Sequence, residues 1–245
     1  MELKIIGSSS AGNAYLLDGA KESLLIECGV PFAQVERTAS FAFRKMQGVI
    51  ISHEHGDHAK SAEKCGKYRI PVYASSGTFN AIGRCGDCRT LHHLEPVNIG
   101  GFVVRPFKVV HDANEPFGFL IRHEEMGTML FATDTAYLPY KFDGINQVMI
   151  ECNYDKQLLD DNVAIGIVDY QLRNRIVQNH MSLSTCLETL AAIDLSKCRN
   201  IVLVHLSDDN SYPDLFRDKV QKQTAITTTI ARPGTVVNLN IKPKF

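Results

Sequence analysis

The stretch that decides the fold is Ile50-Ile51-Ser52-His53-Glu54-His55-Gly56-Asp57-His58. An apolar strand pattern ends here and is followed by three histidines and an aspartate within six residues. Imidazole and carboxylate groups suit a divalent ion such as zinc, and the end of a strand positions ligands more accurately than a mobile loop does. The alternative is a solvated polar turn, but in a buried cluster every imidazole and carboxylate needs a partner. The stretch therefore predicts a metal site.

The composition predicts one globular domain over residues 1–245. Hydrophobic residues make up 44% and charged residues 22% of the chain, which argues against disorder, collagen and coiled coil. The formal net charge of −1 gives no general basic field for nucleic acid, although a local groove can still be basic. The N-terminus lacks a signal-peptide pattern, no apolar run approaches the roughly 18 residues of a membrane span, and the seven cysteines favour reduced thiols. We therefore expect a cytoplasmic protein without a membrane segment.

Short β-branched runs alternate with turns and predict an α/β (α+β) fold, with two layers of mixed strands and helices between and outside them. A helix is predicted from Leu183, behind the N-cap Ser182, because apolar residues recur there at helical spacing. A second helix is predicted from Pro213, with Leu215 and Phe216 among its apolar residues. The predicted strands are Leu3–Ile6, Ala14–Leu17, Ser23–Ile26, Gly48–Ile51, Ile70–Tyr73, Phe102–Val110, Gly118–Arg122, Thr128–Ala132, Gln147–Ile150, Ile201–Val204 and Val236–Ile241.

The motif His53-x-His55-x-Asp57-His58 resembles the signature of the metallo-β-lactamase superfamily. Three further residues follow predicted strands in the order that this family shows, and they are His111, Asp134 and His205. The resemblance implies a four-layered αββα fold. It also implies two divalent ions, with zinc first and manganese or iron as alternatives. By this resemblance one ion is held by His53, His55 and His111, the other by Asp57, His58 and His205, and both are bridged by Asp134.

The resemblance also implies a mechanism. Two bridged ions can share a hydroxide that attacks a phosphodiester, with Asp57 fixing both metal and water. In phosphodiesterase relatives a glutamate and a histidine protonate the leaving oxygen, and these correspond here to Glu151 and His180. The alternative is that His180 belongs to a capped helix start and that Glu151 only supports the ligands. Glu27 replaces the family's usual aspartate in Leu25–Gly29, and we expect it to support the ligand loop.

A closer resemblance, to the YycJ/VicX-like branch, covers nearly the whole chain. That branch is linked to DNA exonuclease-like activity and lies near tRNase Z and the β-CASP nucleases, so the resemblance implies a phosphodiester substrate in DNA. The alternatives are a small-molecule hydrolase (an esterase, lactonase or cyclic-nucleotide phosphodiesterase) and a binding module with a structural metal. The segments that carry this resemblance are Gly7–Asn13, His111–Ala113, Glu115–Gly118, Glu151–Asp155, His180–Ser182, His205–Ser207 and Asp209–Asn210.

Two further patterns leave alternatives open. Cys85 and Cys88, with Cys65 and two nearby histidines (His92 and His93), could form a zinc knuckle, but a lone C-x-x-C favours a loop with reduced thiols. A group of basic residues favours a solvated face over contact with phosphates. This group comprises Arg173, Arg175, Arg217, Lys219 and Lys222. Neither the substrate-binding residues nor the oligomeric state is indicated by the sequence.

Overall fold

The computed structural model describes residues 1–83 and 85–241. Residues 84 and 242–245 lie outside the described residues, so the domain extent of 1–245 stays a prediction. The strands are β1 (Glu2–Gly7), β2 (Ala14–Asp18), β3 (Ser23–Ile26), β4 (Met46–Ile50), β5 (Val72–Ala74), β6 (Cys88–Thr90), β7 (Val97–Ile99), β8 (Phe102–Lys108), β9 (Phe117–His123), β10 (Gly127–Ala132), β11 (Gln147–Glu151), β12 (Asn200–Val204), β13 (Thr227–Ile230) and β14 (Val236–Asn238). The α-helices are α1 (Phe32–Ala39), α2 (Gly56–Ala59), α3 (Ala62–Lys67), α4 (Ser76–Ile82), α5 (Lys156–Ala164), α6 (Tyr170–Asn179), α7 (Leu183–Ala192) and α8 (Pro213–Thr224).

The strands form two seven-stranded sheets that pack face to face. Their orders are β14-β1-β2-β3-β4-β5-β6 and β13-β12-β11-β10-β9-β8-β7. Side chains alternate between the two faces of each strand, so Leu3 and Ile5 of β1 enter the core between the sheets, while Ile6 points to the outer face. Helices α1, α3 and α4 cover the outer face of the first sheet, and α7 and α8 cover that of the second. The four-layered αββα fold is therefore confirmed, whereas the expectation of helices between the sheets is wrong because strand side chains fill that space.

The structure contains elements that the sequence did not indicate. Strands β6 and β7 are only three residues long and show no clear alternation, and β13 consists mostly of threonine. The predicted strand ends beyond Lys108 and Asn238 are wrong, since β8 and β14 stop at those residues. Leu215 of α8 is 44% exposed, while Phe216 of the same helix is fully buried. Every helix within the described residues is too short or too polar to cross a bilayer.

Parallel pairing brings the chemistry-bearing residues to one edge of the sandwich. Strands β3, β4 and β5 pair in parallel in the first sheet, and β10, β11, β12 and β13 do so in the second. The carboxyl ends of parallel strands lie at the same edge of a sheet, so the residues that follow β4, β10 and β12 meet there. This edge carries His53, Asp134 and His205.

Candidate metal centre

Three histidines converge beyond β4 and β8, and we call them the histidine triad: His53, His55 and His111. Nδ1 of His55 lies 3.1 Å from Nε2 of His53 and 3.2 Å from Nε2 of His111. Burial lowers the pKa of His53 and of His111, which favours the neutral ring that a metal requires. The Asn179 carbonyl oxygen lies 3.2 Å from Nδ1 of His111. Because a carbonyl only accepts, this contact places the His111 proton on Nδ1 and leaves the Nε2 lone pair facing the triad.

A second set of side chains, the mixed group, lies beside the triad and consists of Asp57, His58 and His205. Helix α2 carries Asp57 and His58, and His205 directly follows β12. Oδ2 of Asp57 lies 3.2 Å from Nε2 of His58 and 3.6 Å from Nε2 of His205. Burial alone would lower the pKa of both histidines, but nearby carboxylates outweigh it. They hold the pKa of His58 well above its usual value and raise that of His205 to about 10.

The carboxylate of Asp134 lies between the triad and the mixed group. Its Oδ1 atom is 3.1 Å from Nδ1 of His205 and 3.4 Å from Nε2 of His58. Its Oδ2 atom is 3.8 Å from Nε2 of His111 and 3.9 Å from Nε2 of His53. Each oxygen of this one side chain therefore faces a different half of the cluster.

The backbone is strained at three residues that follow strands β3, β10 and β12 beside the cluster. Glu27, Asp134 and His205 have φ values of 60°, 42° and 53°, in the left-handed region. Non-glycine residues in this region each cost roughly 1–3 kcal/mol and are typical of functional sites. The Gly29 position permits a close approach, because a Cβ there would overlap the carbonyl of Asp57. Residues beside the cluster therefore adopt costly backbone conformations, and Gly29 allows α2 to pack closely against the loop after β3.

These residues fit divalent metal ions. Three ring nitrogens of the triad lie close together, and hydrogen bonds among these three atoms cannot give every one of them a partner. Nε2 of His205 is buried and makes no hydrogen bond among the described residues. Imidazole and carboxylate donors suit zinc, manganese or iron. Within the described chain the cluster is therefore able to hold metal ions.

Glu27 lies behind the cluster and is fully buried. Its Oε1 and Oε2 atoms accept hydrogen bonds from the Ser52 backbone N–H at 3.2 and 3.3 Å, and Oε2 lies 3.5 Å from Nδ1 of His58. Burial raises the pKa of this carboxyl above its ordinary value, against the opposing effects of His58 and Ser52. The longer glutamate therefore contacts both the start of the ligand loop and the back of a predicted ligand.

Glu151 and His180 form a pair at the rim of the cluster. Oε1 of Glu151 lies 2.7 Å from Nδ1 of His180 and 3.0 Å from Nδ1 of His205, while Oε2 accepts from the Thr135 and Met181 backbone N–H groups. Burial alone would raise the pKa of Glu151, but the two histidines lower it. Burial alone would lower the pKa of His180, but Glu151 raises it. His180 is 19% exposed and follows α6 directly.

The sequence model of the family described as beta-lactamase superfamily domain matches residues 22–206, a span that includes every predicted ligand. The chain belongs to the β-lactamase superfamily. Membership confirms the expected fold and the expected class of enzyme, a metal-dependent hydrolase.

Relatives of this superfamily protein match nearly its whole length. A Bacillus anthracis protein named exodeoxyribonuclease YycJ is 26% identical over 246 residues, which covers 91% of this chain and 88% of the relative. The metallo-beta-lactamase fold protein YhfI from Bacillus subtilis aligns with a TM-score of 0.72 at 17% identity, over 96% of this chain and 98% of that chain. The short form of human tRNase Z aligns with a TM-score of 0.66 at 16% identity, over 98% of this chain and 100% of that chain. The two structures share the fold, and the resemblance to YycJ is confirmed.

Two polar residues of the N-terminal segment support the cluster of this superfamily member and were not predicted individually. The fully buried Asn13 side-chain amide lies 3.3 Å from Oδ2 of Asp57 and 3.2 Å from Nε2 of His58. The Ser8 hydroxyl accepts a hydrogen bond of 2.9 Å from the His205 backbone N–H. The only signal in the sequence was the Gly-Ser turn Gly7–Asn13, which indicates a tight loop but not its target.

The alternative of a zinc knuckle is not supported. Sγ of Cys85 lies 3.3 Å from Sγ of Cys88, and burial raises the pKa of Cys85 to about 12. His93 instead accepts a hydrogen bond from the Lys108 backbone through Nδ1. Among the described residues, the groups with metal-binding geometry contain histidine, aspartate and glutamate but no cysteine.

The basic residues named in the sequence have different surroundings in the structure. Arg217 pairs with Asp214 and Asp218 at the surface of α8. Arg173 pairs with Asp160 at 2.8 Å. Arg175, which like Arg173 belongs to α6, lines a cavity together with His180 and His205.

Proposed function

We propose that the protein is a dinuclear metal-dependent phosphodiesterase that acts on DNA as an exonuclease. The observation that carries this proposal is the position of Asp134, whose two oxygens face the histidine triad and the mixed group separately. One carboxylate between two sets of ligands is the arrangement expected for a pair of bridged ions.

In this proposal the triad would hold one ion, the mixed group the other, and Asp134 both. Zinc suits the histidine-rich donor set best, and manganese or iron would bind the same residues. When bound, such ions supply Lewis-acid polarisation of the phosphoryl oxygens and a water of lowered pKa as nucleophile. Asp57 would orient that water, since the Asn13 amide and the mixed-group histidines fix its Oδ2 atom.

His180 would protonate the leaving oxygen. Its Nδ1 atom is bonded to Glu151, so Nε2 is the atom that can present a proton to the substrate. Glu151 is fully buried and its second oxygen is held by two backbone N–H groups, which fixes the ring orientation. The carboxylate also favours the protonated ring, as a general acid requires.

The DNA substrate is supported by the relative named exodeoxyribonuclease, which matches over most of both chains. A reduced, cytoplasmic setting is part of the same proposal and is consistent with seven free thiols. A small-molecule ester is the second candidate, because Asp112, Asp208 and Asp209 place negative charge around the mouth of the site. Such charge opposes a long polyanion more than a small substrate.

The test is hydrolysis of end-labelled single- and double-stranded DNA by protein loaded with Zn²⁺ or Mn²⁺. We expect stepwise products from one end, no products from His55→Ala, and a rate lowered about 10²–10⁴-fold in His180→Ala. The matched control is His92→Ala, since His92 is exposed and lies outside the cluster. Its rate should equal that of the wild type.

Two outcomes would contradict the proposal. A protein that binds two metals but leaves DNA intact excludes the DNA substrate, and cleavage of a lactone or ester panel would then favour the second candidate. A His180→Ala variant with the wild-type rate on DNA would exclude the proton donor while leaving the metal centre in place.

A further inference from the structure

A cavity of about 320 Å³ opens directly beside the metal centre. His180 and His205 line one end of it, so anything bound there lies next to the proposed proton donor. One wall is formed by α6, which contributes Leu172, Arg175 and Ile176. These residues are spaced i, i+3 and i+4 and therefore share one face of the helix.

The charge of Arg175 is unusual for this cavity. Of the described lining residues, Arg175 is the only lysine or arginine, and it stands among carboxylates that include Asp208 and Asp209. Its side chain is 64% exposed. A phosphodiester chain that enters this acidic mouth therefore meets the permanent positive charge of Arg175, on the helix that precedes His180.

The backbone of Arg175 has a defined position relative to the triad, and its side chain reaches toward Asp112. Nε of Arg175 lies 3.4 Å from Oδ2 of Asp112, whose Oδ1 atom lies 3.5 Å from Nε2 of His111. The end of α6 is fixed as well, because the Asn179 side chain donates to the Arg175 carbonyl and the Asn179 carbonyl contacts His111. The carboxylate of Asp112 therefore lies between the Arg175 guanidinium and the triad.

The pairing of Arg175 leaves its terminal nitrogens available. The described residues give its side chain one ion pair, through Nε, to a half-exposed aspartate. Exposed pairs of this kind contribute little, so a phosphate can compete for the guanidinium. Arg173, two residues earlier, differs: both Nε and one terminal nitrogen bind Asp160, at 2.9 and 2.8 Å, and its side chain is only 22% exposed.

We propose that Arg175 binds the phosphate next to the scissile one, while Leu172 and Ile176 contact the nucleoside between the two phosphates. The inference rests on the proposed phosphodiesterase function and names the residue that makes a polynucleotide a better substrate than a simple diester. Arginine suits the role because its planar fork matches two phosphate oxygens.

The experiment compares Arg175→Ala, Arg175→Lys and Arg173→Ala on two substrates. One is a labelled single-stranded oligonucleotide, and the other is bis(p-nitrophenyl) phosphate, which has no neighbouring phosphate. For Arg175→Ala we expect the ratio of kcat/KM on the oligonucleotide to that on the simple diester to fall about tenfold. The slope of log KM against log salt should decrease by about one. Arg175→Lys should restore the salt slope but only part of the ratio, and Arg173→Ala should leave both substrates unaffected.

A second readout does not depend on activity. Fluorescence anisotropy with the same oligonucleotide in chelator should show weaker binding for Arg175→Ala than for the wild type and Arg173→Ala. Equal losses on both substrates, or unchanged oligonucleotide binding, would overturn the role of Arg175 even though the enzyme cleaves DNA. A wild type that cleaves only the simple diester and binds no oligonucleotide would instead overturn the DNA substrate, and the role of Arg175 with it.

Discussion

The histidine triad and the mixed group each offer three side chains to the centre, but different neighbours support them. The triad is held by neutral partners, the Ser52 hydroxyl at 2.8 Å from His53 and the Asn179 carbonyl at 3.2 Å from His111. The mixed group is held largely by carboxylates. These contacts are Glu27 with His58, at 3.5 Å, and Glu151 with His205, at 3.0 Å.

The two halves also differ in charge. Burial lowers the pKa of His53 and His111, whereas surrounding carboxylates outweigh burial and raise the pKa of His58 and His205. The mixed group therefore contains buried ion pairs, and the loss of one partner leaves an uncompensated charge. Among the described residues, the carboxylates that approach the triad are the half-exposed Asp112, 3.5 Å from His111, and Asp134, at 3.8 and 3.9 Å. This difference implies that the mixed group stabilises the folded protein even without metal, whereas the triad contributes to stability mainly through the metal that it binds.

The largest effect should follow from Asp134→Asn, because Asp134 is the side chain that joins the two halves. Removing its charge weakens both sets of ligands while keeping the shape of the side chain. We expect hydrolysis at background level and fewer than two metals per chain by elemental analysis. Asp143→Asn is the matched control, since Asp143 is exposed and outside the cluster, and it should retain both. Two metals retained in Asp134→Asn would show that the halves bind independently.

The second-largest effect should distinguish the mixed group from the triad by the free energy of unfolding of the metal-free protein, measured in chelator. Among the described residues, His58→Ala leaves the Ser52 N–H as the remaining hydrogen-bond partner of the buried Glu27, and breaking such a pair costs about 3–5 kcal/mol. His55→Ala leaves no buried charge and should cost about 1 kcal/mol or less. Urea denaturation of the metal-free proteins measures both free energies of unfolding. Equal losses of unfolding free energy in the two variants would show that the mixed group and the triad do not differ in their contribution to folding.

Much of the fold could be predicted because its central strands are short apolar runs separated by turns. β2 places successive side chains in two different cores, which explains why all four residues of Ala14–Leu17 are apolar. Helix α6 could not be predicted in this way, since Asn179 is its only buried residue. Its position depends on contacts with His111 and Glu151 that form only in the folded chain.

The predicted ligands lie close together in the folded chain. Their identities were accessible because the motif His53–His58 resembles the superfamily signature and because the remaining members, His111, Asp134 and His205, follow predicted strands in the family's order. Asn13 was not accessible, as its contact with Asp57 spans 44 positions of the sequence. The sequence also does not distinguish Arg173 from Arg175. Only the folded structure shows that Arg173 pairs with Asp160 and Arg175 with Asp112.

A smaller effect, on metal affinity, should follow from changes to Glu27 and Ser52, which contact the ligands His58 and His53. Glu27→Gln should keep a hydrogen bond to the Ser52 N–H but lose the charge that faces His58, and such changes typically cost about 10–100-fold in metal affinity. Ser52→Ala removes only a neutral contact to His53 and should cost less. Competition with a fluorescent chelator measures both. A larger loss for Ser52→Ala would reverse the assignment of charged support to the mixed group.

The smallest effect should come from Asn13, which contacts the mixed group without carrying charge. Asn13→Ala removes the amide that lies 3.3 Å from Oδ2 of Asp57, and we expect kcat/KM to fall about threefold to tenfold. Asn13→Asp keeps the size of the side chain but turns a second negative charge toward Asp57, so it should be worse than alanine if the amide orients that carboxylate. If Asn13 only fills space, the order reverses, because alanine then leaves the larger void. Steady-state kinetics on one phosphodiester, with metal content measured for each variant, distinguishes these two cases.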